Sequence, residues 1–318
     1  MGIYAEKAKL AAKYYRNVFQ KRPVSINLEV TKRCNATCDF CDYWKTKKET
    51  VIDDYGPIVK RIDPMMITIT GGEPMLRPNL PEIIRNIKKA VPVSYIAMIT
   101  NGSLMTIEKA RELYDAGLRQ LTFSVDFIDD RHDKSRGIPG LWKHLSELIP
   151  NLKKHVPFDS VNMNWIIRQE SYDQTLAVAE LAKEWDVNVT YTAYSDLKNM
   201  NDSHFLSDKN LEEFPGLIQK LIGFKRKFKT IRSSDYFLEL MPRFYKHEQI
   251  DGCPAGLRWV QVTPEGWFKP CSELPPVVFW DKYDHRSSFK KQECTLCWYG
   301  CRGEAQTPIN LKRIRELI

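Results

Sequence analysis

Three cysteines, Cys34, Cys38 and Cys41, fall within eight residues, directly after an apolar run that reads as a strand. Their thiolates are soft ligands, and a group of soft sulfur donors suits a cubane iron–sulfur cluster, which has four iron corners. Three ligands leave one iron without a protein donor, and an open metal position is where chemistry happens. The same spacing also fits a zinc knot, because short cysteine spacings in loops often bind zinc. Gly71, Gly72, Glu73 and Pro74 follow a second strand-like run, 65–70. Glycines let a backbone come close to a ligand, and a carboxylate accepts hydrogen bonds from an ammonium group.

The C-x3-C-x2-C spacing, with Phe40 just before the last cysteine, resembles the signature of the radical S-adenosylmethionine (SAM) enzymes. A Gly-Gly-Glu some thirty residues later strengthens the likeness. The resemblance implies that Cys34, Cys38 and Cys41 bind three irons of a [4Fe–4S] cluster and that S-adenosylmethionine chelates the fourth. It places Gly71, Gly72, Glu73 and Pro74 at the methionine amino group and Phe40 near the adenine, with loop anchoring as the alternative role for Phe40. Tyr43 and Trp44 are expected to wall the cofactor from water. Thr100, Asn101 and Gly102 resemble a further family motif and also form an ordinary turn. Ser124 and Asp126 resemble the family's Ser-x-Asp, suited to the ribose or methionyl group. His132, Asp133, Arg136 and Gly137 resemble a His-Asp-x-x-Arg-Gly segment, whose Arg136 fork suits a carboxylate. His132 is a candidate proton donor or a loop-stabilising residue. Asn162, Asn164 and Trp165 depart from the family pattern, and Arg168 is a candidate for the cofactor carboxylate. The implied chemistry is reductive cleavage of S-adenosylmethionine to a 5′-deoxyadenosyl radical that abstracts hydrogen, with a flavodoxin or ferredoxin as electron donor.

These residues need a frame that gathers strand ends. Strand-like runs at 24–31, 65–70, 94–100, 120–126, 161–168 and 187–194 alternate with helical spacing at 79–90, 106–116, 141–155 and 172–185. Thr106 and Gly117 have the chemistry to cap and close the second of those helices. The expected fold is α/β, a partial (β/α)6 TIM-like barrel with a C-terminal β-hairpin and helix unit. Parallel barrels put ligand chemistry at the C-terminal ends of their strands, where the motifs fall. The expected organisation is an amphipathic helix within 1–22, the barrel over 23–206, a helical link over 207–234 and a cysteine-bearing tail over 235–318. Ile3, Leu10, Tyr14, Val18 and Phe19 form the helix's apolar stripe, expected to pack on the barrel's exterior or to rest on a membrane surface.

The tail holds Cys253, Cys271, Cys294, Cys297 and Cys301, with a hairpin-like segment, 259–269, between the first two. The pattern C-x12-G-x4-C resembles the opening of the auxiliary-cluster extensions called SPASM and twitch, although the second half lacks the full SPASM set. The resemblance implies one auxiliary [4Fe–4S] cluster on Cys253, Cys271 and two of the other three. A structural zinc site is the competing reading. An auxiliary cluster would accept an electron from a substrate radical, relay electrons to the first cluster, or brace the substrate pocket.

The bulk properties agree with a metal-using enzyme. Eight cysteines and no signal-peptide pattern favour ligation over disulfides. The expected location is therefore the cytoplasm or the inner membrane surface. The net charge of +8 over 318 residues is moderate and disfavours nucleic acid as the partner without a binding appendage. About twenty-three residues precede the first strand, which argues for a small-molecule, sugar or lipid-headgroup substrate over a leader-bound peptide. A peptide-maturing enzyme and a non-catalytic iron–sulfur carrier are the alternatives. Anaerobic purification with iron, sulfide and zinc analysis separates the metal readings. About eight irons and no zinc are expected, whereas about four irons with one zinc would overturn the auxiliary cluster.

Overall fold

The computed structural model describes residues 3–308. It opens with helix α1 (Ile3–Phe19) and strand β1 (Ser25–Glu29), then α2 (Gly56–Ile62), β2 (Met66–Thr70), α3 (Leu80–Ala90) and β3 (Tyr95–Thr100). Helix α4 (Ile107–Ala116), β4 (Gln120–Val125), α5 (Arg131–Arg136), α6 (Leu141–His155), β5 (Ser160–Ile167), α7 (Ala177–Glu184) and β6 (Asn188–Ala193) complete the repeating part. Helices α8 (Asp208–Phe228) and α9 (Asp235–Tyr245) lead to β7 (Trp259–Val262), β8 (Trp267–Lys269), β9 (Val278–Phe279) and α10 (Gly300–Gln306). The nine strands form one sheet in the order β6-β5-β4-β3-β2-β1-β7-β8-β9. Strands β1 to β7 pair in parallel and the last two turn back antiparallel. This is the expected partial barrel, and its six strand expectations agree with the structure to within about two residues.

The local chemistry explains the elements. In β2 the buried residues Ile67 and Ile69 alternate with half-buried Met66, Thr68 and Thr70. In β6 buried Val189, Tyr191 and Ala193 alternate with Asn188, Thr190 and Thr192. Successive side chains of a strand point to opposite faces, so the fully buried set meets the helices and the polar set faces the barrel interior. Each fully buried Ile or Leu contributes about 1.5–3 kcal/mol against exposure. Thr106 caps α4 by accepting the Lys109 N–H, and Gly117 ends it at φ +123°, as their residue types require. Two short helices, α2 and α5, and helix α9 were not legible as separate elements.

The tail is not a detached unit. The expected hairpin is present, with Gln261 opposite Lys269 and Val262 opposite Phe268. Strand β7 pairs in parallel with β1, Ser25 opposite Trp259 through Leu28 opposite Val262. The cysteine-bearing segment therefore continues the barrel sheet next to the strand that feeds the first cysteine loop.

Helix α1 corrects an expectation. Leu10, Tyr14 and Val18 of the expected stripe are half-buried, but the fully buried side chains of the helix are Lys13 and Asn17, and Phe19 is 90% exposed. Lys13 pairs with Asp63 at 2.6 Å and donates to Ser94 Oγ at 2.8 Å, and Asn17 donates to the carbonyls of Pro23 and Asp63. The stripe assigned Phe19 to the wrong face because buried hydrogen-bonding pins outrank apolar spacing here. The Ile3 side chain lies outside the described residues.

Helix α10, which carries Cys301, rests on α9 through Gly303. A Cβ there would lie 2.0 Å from Phe237 Cδ2, and Phe237 is fully buried. Gly303→Ala should cost about 1–3 kcal/mol by overpacking and lower the thermal midpoint. An unchanged midpoint would show that α9 and α10 do not meet in this way.

Candidate functional site

The first cysteine loop leaves the C-terminal end of β1 and is gripped from two sides. On one side the Gly71 and Gly72 amides and their neighbours run along its backbone. Gly72 N–H donates to Thr31 O and Glu73 N–H to Arg33 O, both at 2.8 Å. A Cβ on Gly71 would lie 2.1 Å from Thr31 O, and one on Gly72 would lie 2.0 Å from Arg33 O. Gly71 also sits at φ +142°, a region that L side chains rarely adopt. The immediate reason for both glycines is therefore loop-to-loop packing. Glu73 is buried, and its carboxylate accepts from Met75 N, Thr100 Oγ1 and Asn101 N at 3.0, 2.7 and 2.7 Å. Burial raises its pKa, with the donors from Asn101, Thr100 and Met75 opposing. Asn101 in turn donates to Asn35 Oδ1 within the cysteine loop at 2.9 Å. Pro74 starts the 3₁₀ turn that Glu73 caps.

On the other side stands a buried ion pair. Asp126 is fully buried and meets Arg136 through both carboxylate oxygens, at 2.6 and 2.8 Å, while Ser135 Oγ donates to it at 2.9 Å. Burial by itself would raise the Asp126 pKa, but Arg136 and Arg168 outweigh it and hold it at about 2. The third corner of the Arg136 guanidinium, Nη1, lies 3.7 Å from Cys38 Sγ, and Arg136 O accepts the Thr37 N–H at 2.8 Å. The Arg136 fork, expected to face a cofactor carboxylate, is thus engaged by Asp126. Arg168 is 2% exposed, reaches Ser135 Oγ at 3.1 Å, and lies 4.5 Å from the Phe40 ring centroid. Arg136 lies 5.5 Å from the same ring. Phe40 therefore anchors the loop between two cations. His132 accepts the Asp126 N–H through Nδ1. Burial lowers its pKa to about 4, so it is neutral and holds the loop. Ser124 is half-buried on the interior face of β4.

The interior beyond this loop is hydrophilic. Asn27, Thr68, Thr70, Ser124, Asn164, Thr190 and Thr192 all lie on the half-buried face of the strands. Asn164 Oδ1 accepts from the Thr190 and Thr192 hydroxyls, both at 3.1 Å, which orients its amide. Glu29, at the end of β1, is 1% exposed. Its Oε1 accepts from Tyr43 Oη, and its Oε2 is buried without a partner among the described residues. Lys198 Nζ lies 3.4 Å from Tyr43 Oη and 3.3 Å from Glu273 Oε1. Burial, then the Glu29 carboxylate, pushes the Tyr43 pKa far up. The loop after β6 also closes on the cysteines, with Asn199 donating to Asp39 O. Trp44, expected as a wall, donates to Cys38 O at 3.2 Å. Glu29, Lys198 and Glu273 were missed in the sequence. Glu29 carried a signal, since it continues the polar alternation of Ser25 and Asn27. Lys198 and Glu273 sit in loops and carried none.

The chemistry of the donor sets fits iron–sulfur ligation. Cys38 is buried and Cys34 and Cys41 are half-buried, all free thiols. Burial pushes Cys38 up to about 11, and Cys41 and Cys34 add to the rise through their proximity. In the tail, burial pushes Cys297 up to about 12, with Cys253 and Cys271 close enough to contribute. Cys301 feels Cys297, Cys271 and Cys253, and Cys253 feels Cys294. Arg302 ties this group together, donating to Cys297 O at 2.6 Å and to Ile250 O. Among the described residues no three His, Cys, Asp or Glu side chains converge tightly enough for a single metal ion. No helix of the described residues is long and apolar enough to cross a membrane.

The family model described as the radical SAM superfamily matches residues 28–211. A GTP 3′,8-cyclase of Aquifex aeolicus is 28% identical over 216 residues, 64% of this chain and 67% of that protein. The same enzyme from Staphylococcus saprophyticus is 28% identical over 63% of this chain but only 62% of its own length. Among solved structures, SuiB of Streptococcus suis superposes with a TM-score of 0.68 at 13% identity, over 88% of this chain and 69% of SuiB. Native anSMEcpe with bound AdoMet superposes with a TM-score of 0.63 at 18% identity, over 85% of this chain and 81% of its own. These likenesses of fold agree with the strand-end cysteine loop and the match to more than half of the chain: it belongs to the radical SAM superfamily of enzymes, which work with a [4Fe–4S] cluster and S-adenosylmethionine.

Proposed function

We propose that the chain abstracts hydrogen from a hydrophilic small molecule, sugar or lipid headgroup held in the barrel interior, with net oxidation through one auxiliary [4Fe–4S] cluster. The observation that carries this reading is the polar interior face of the strands, with Glu29 Oε2 buried at the end of β1 and without a partner among the described residues. An apolar substrate would leave those hydroxyl, amide and carboxylate groups without partners, which costs about 1–3 kcal/mol for each buried group. Cys34, Cys38 and Cys41 would hold the first cluster, and Cys253 and Cys271 with two of Cys294, Cys297 and Cys301 the second. When bound, the first cluster and S-adenosylmethionine supply a 5′-deoxyadenosyl radical. The remaining work belongs to the chain. Ser124, Asn101 and the turn at Glu73 would face the cofactor, Phe40 with Arg168 and Arg136 would close it, and Asn164 and Glu29 would orient the substrate.

Tyr43 donates to one oxygen of Glu29 and is itself met by Lys198, which pairs with Glu273, so that a hydroxyl or ammonium of the substrate can donate to the other oxygen of Glu29. A flavodoxin- or ferredoxin-type donor would supply the electron. The name of the GTP 3′,8-cyclases also gives them a hydrophilic small-molecule substrate. Peptide modification is the second reading, supported by the likeness of fold to SuiB, which has been solved with its precursor peptide SuiA.

Anaerobic incubation with dithionite and S-adenosylmethionine tests the reading. Wild type and Glu29→Gln should both release 5′-deoxyadenosine, because Glu29 serves the substrate, while Cys38→Ser should release none. Full iron content without 5′-deoxyadenosine would favour an electron carrier instead.

A further inference from the structure

The opposite end of the barrel holds a second cleft. It lies where α1 crosses the starts of β2 and β3, with a volume of about 610 Å³. Five cations line it, Lys9, Lys13, Arg16, Arg22 and Lys60, against one acid, Asp63, over an apolar floor of Ala12 and residues 90–93. Asp63 is consumed by Lys13 and Arg16, each at 2.6 Å. Lys13 is 6% exposed, a burial that charged side chains rarely adopt without reason. Arg22 Nε is buried with no partner among the described residues, and Arg22 also walls an adjoining cleft of about 410 Å³ with Lys21, His285 and Arg286. Lys60, on α2, is exposed at the rim. Strands of five to six residues put this end about 17 Å from the cysteine loop, so nothing bound here touches the reacting atoms.

We propose that this cleft binds a phosphate-bearing anion. A phosphoryl group offers acceptor oxygens to the buried Arg22 N–H and to Lys60. The apolar floor leaves room for a carbon group attached to the phosphate. Two sources share this chemistry: a soluble phosphorylated ligand and the headgroup of an anionic lipid. Tyr15 and Phe19, exposed on the same helix, would enter the interface in the second case.

The test uses the full chain with its clusters. Pyrophosphate binding is measured by calorimetry, and vesicle binding by co-sedimentation with phosphatidylcholine alone or with added phosphatidylglycerol. Wild type is compared with Arg22→Ala/Lys60→Ala, with Lys60→Ala alone, and with Lys143→Ala/Lys154→Ala, which removes equal charge from the exposed face of α6. At least one probe should bind wild type, at least about tenfold more weakly in the Arg22/Lys60 variant, more weakly in Lys60→Ala, and unchanged in the α6 variant. Pyrophosphate binding assigns a soluble ligand, and binding only to vesicles with phosphatidylglycerol assigns a lipid. Failure of both probes, or equal loss in the α6 variant, overturns the site. Retained 5′-deoxyadenosine formation in every variant separates that outcome from failure of the proposed function.

Discussion

Two carbonyl oxygens, those of Thr31 and Arg33, stand where side chains on Gly71 and Gly72 would be. This contact holds the rest of the site together. Because no Cβ intervenes, the turn after β2 lies flat on the cysteine loop after β1, and two backbone hydrogen bonds register them. The same turn presents Glu73 to Thr100 and Asn101, so the ends of β1, β2 and β3 are fixed as one surface. From the far side, Asp126 orients Arg136, which meets both the Cys38 thiol and the Phe40 ring. The loop is set between a backbone clamp and a buried ion pair. A preset loop lowers the ordering entropy that ligation would otherwise have to overcome.

The second consequence is the distance between the two cysteine groups. Parallel pairing of β7 with β1 makes the tail an extension of the barrel sheet, next to the strand that feeds the first cysteine loop. Tyr43, Lys198 and Glu273 form a bridge from the first cysteine loop to the residues beside Cys271. Glu29 accepts from Tyr43 at the foot of this bridge.

Much of this was legible in the residues. The barrel strands declared themselves by apolar runs, and the strand-end motifs by their type and spacing. Thr106 and Gly117 marked helix boundaries that the structure places at the same positions. Other features depended on contacts far apart in sequence. Phe19 looked apolar and therefore inward, but Lys13 and Asn17 decide how α1 docks. Arg136 looked free for a ligand, and only the fold shows that Asp126 holds its fork. Lys198 and Glu273 lie 75 positions apart in loops, and neither has local periodicity that would announce it.

With the cysteines, the glycine-backed clamp builds the site expected to hold the first cluster. Iron content and the electron paramagnetic resonance spectrum of reduced Gly72→Ala measure it directly. The clamp predicts loss of the signal sensitive to S-adenosylmethionine and of about four irons, while any iron bound by the tail cysteines is unaffected. Wild-type iron with an unchanged S-adenosylmethionine-sensitive spectrum would contradict it.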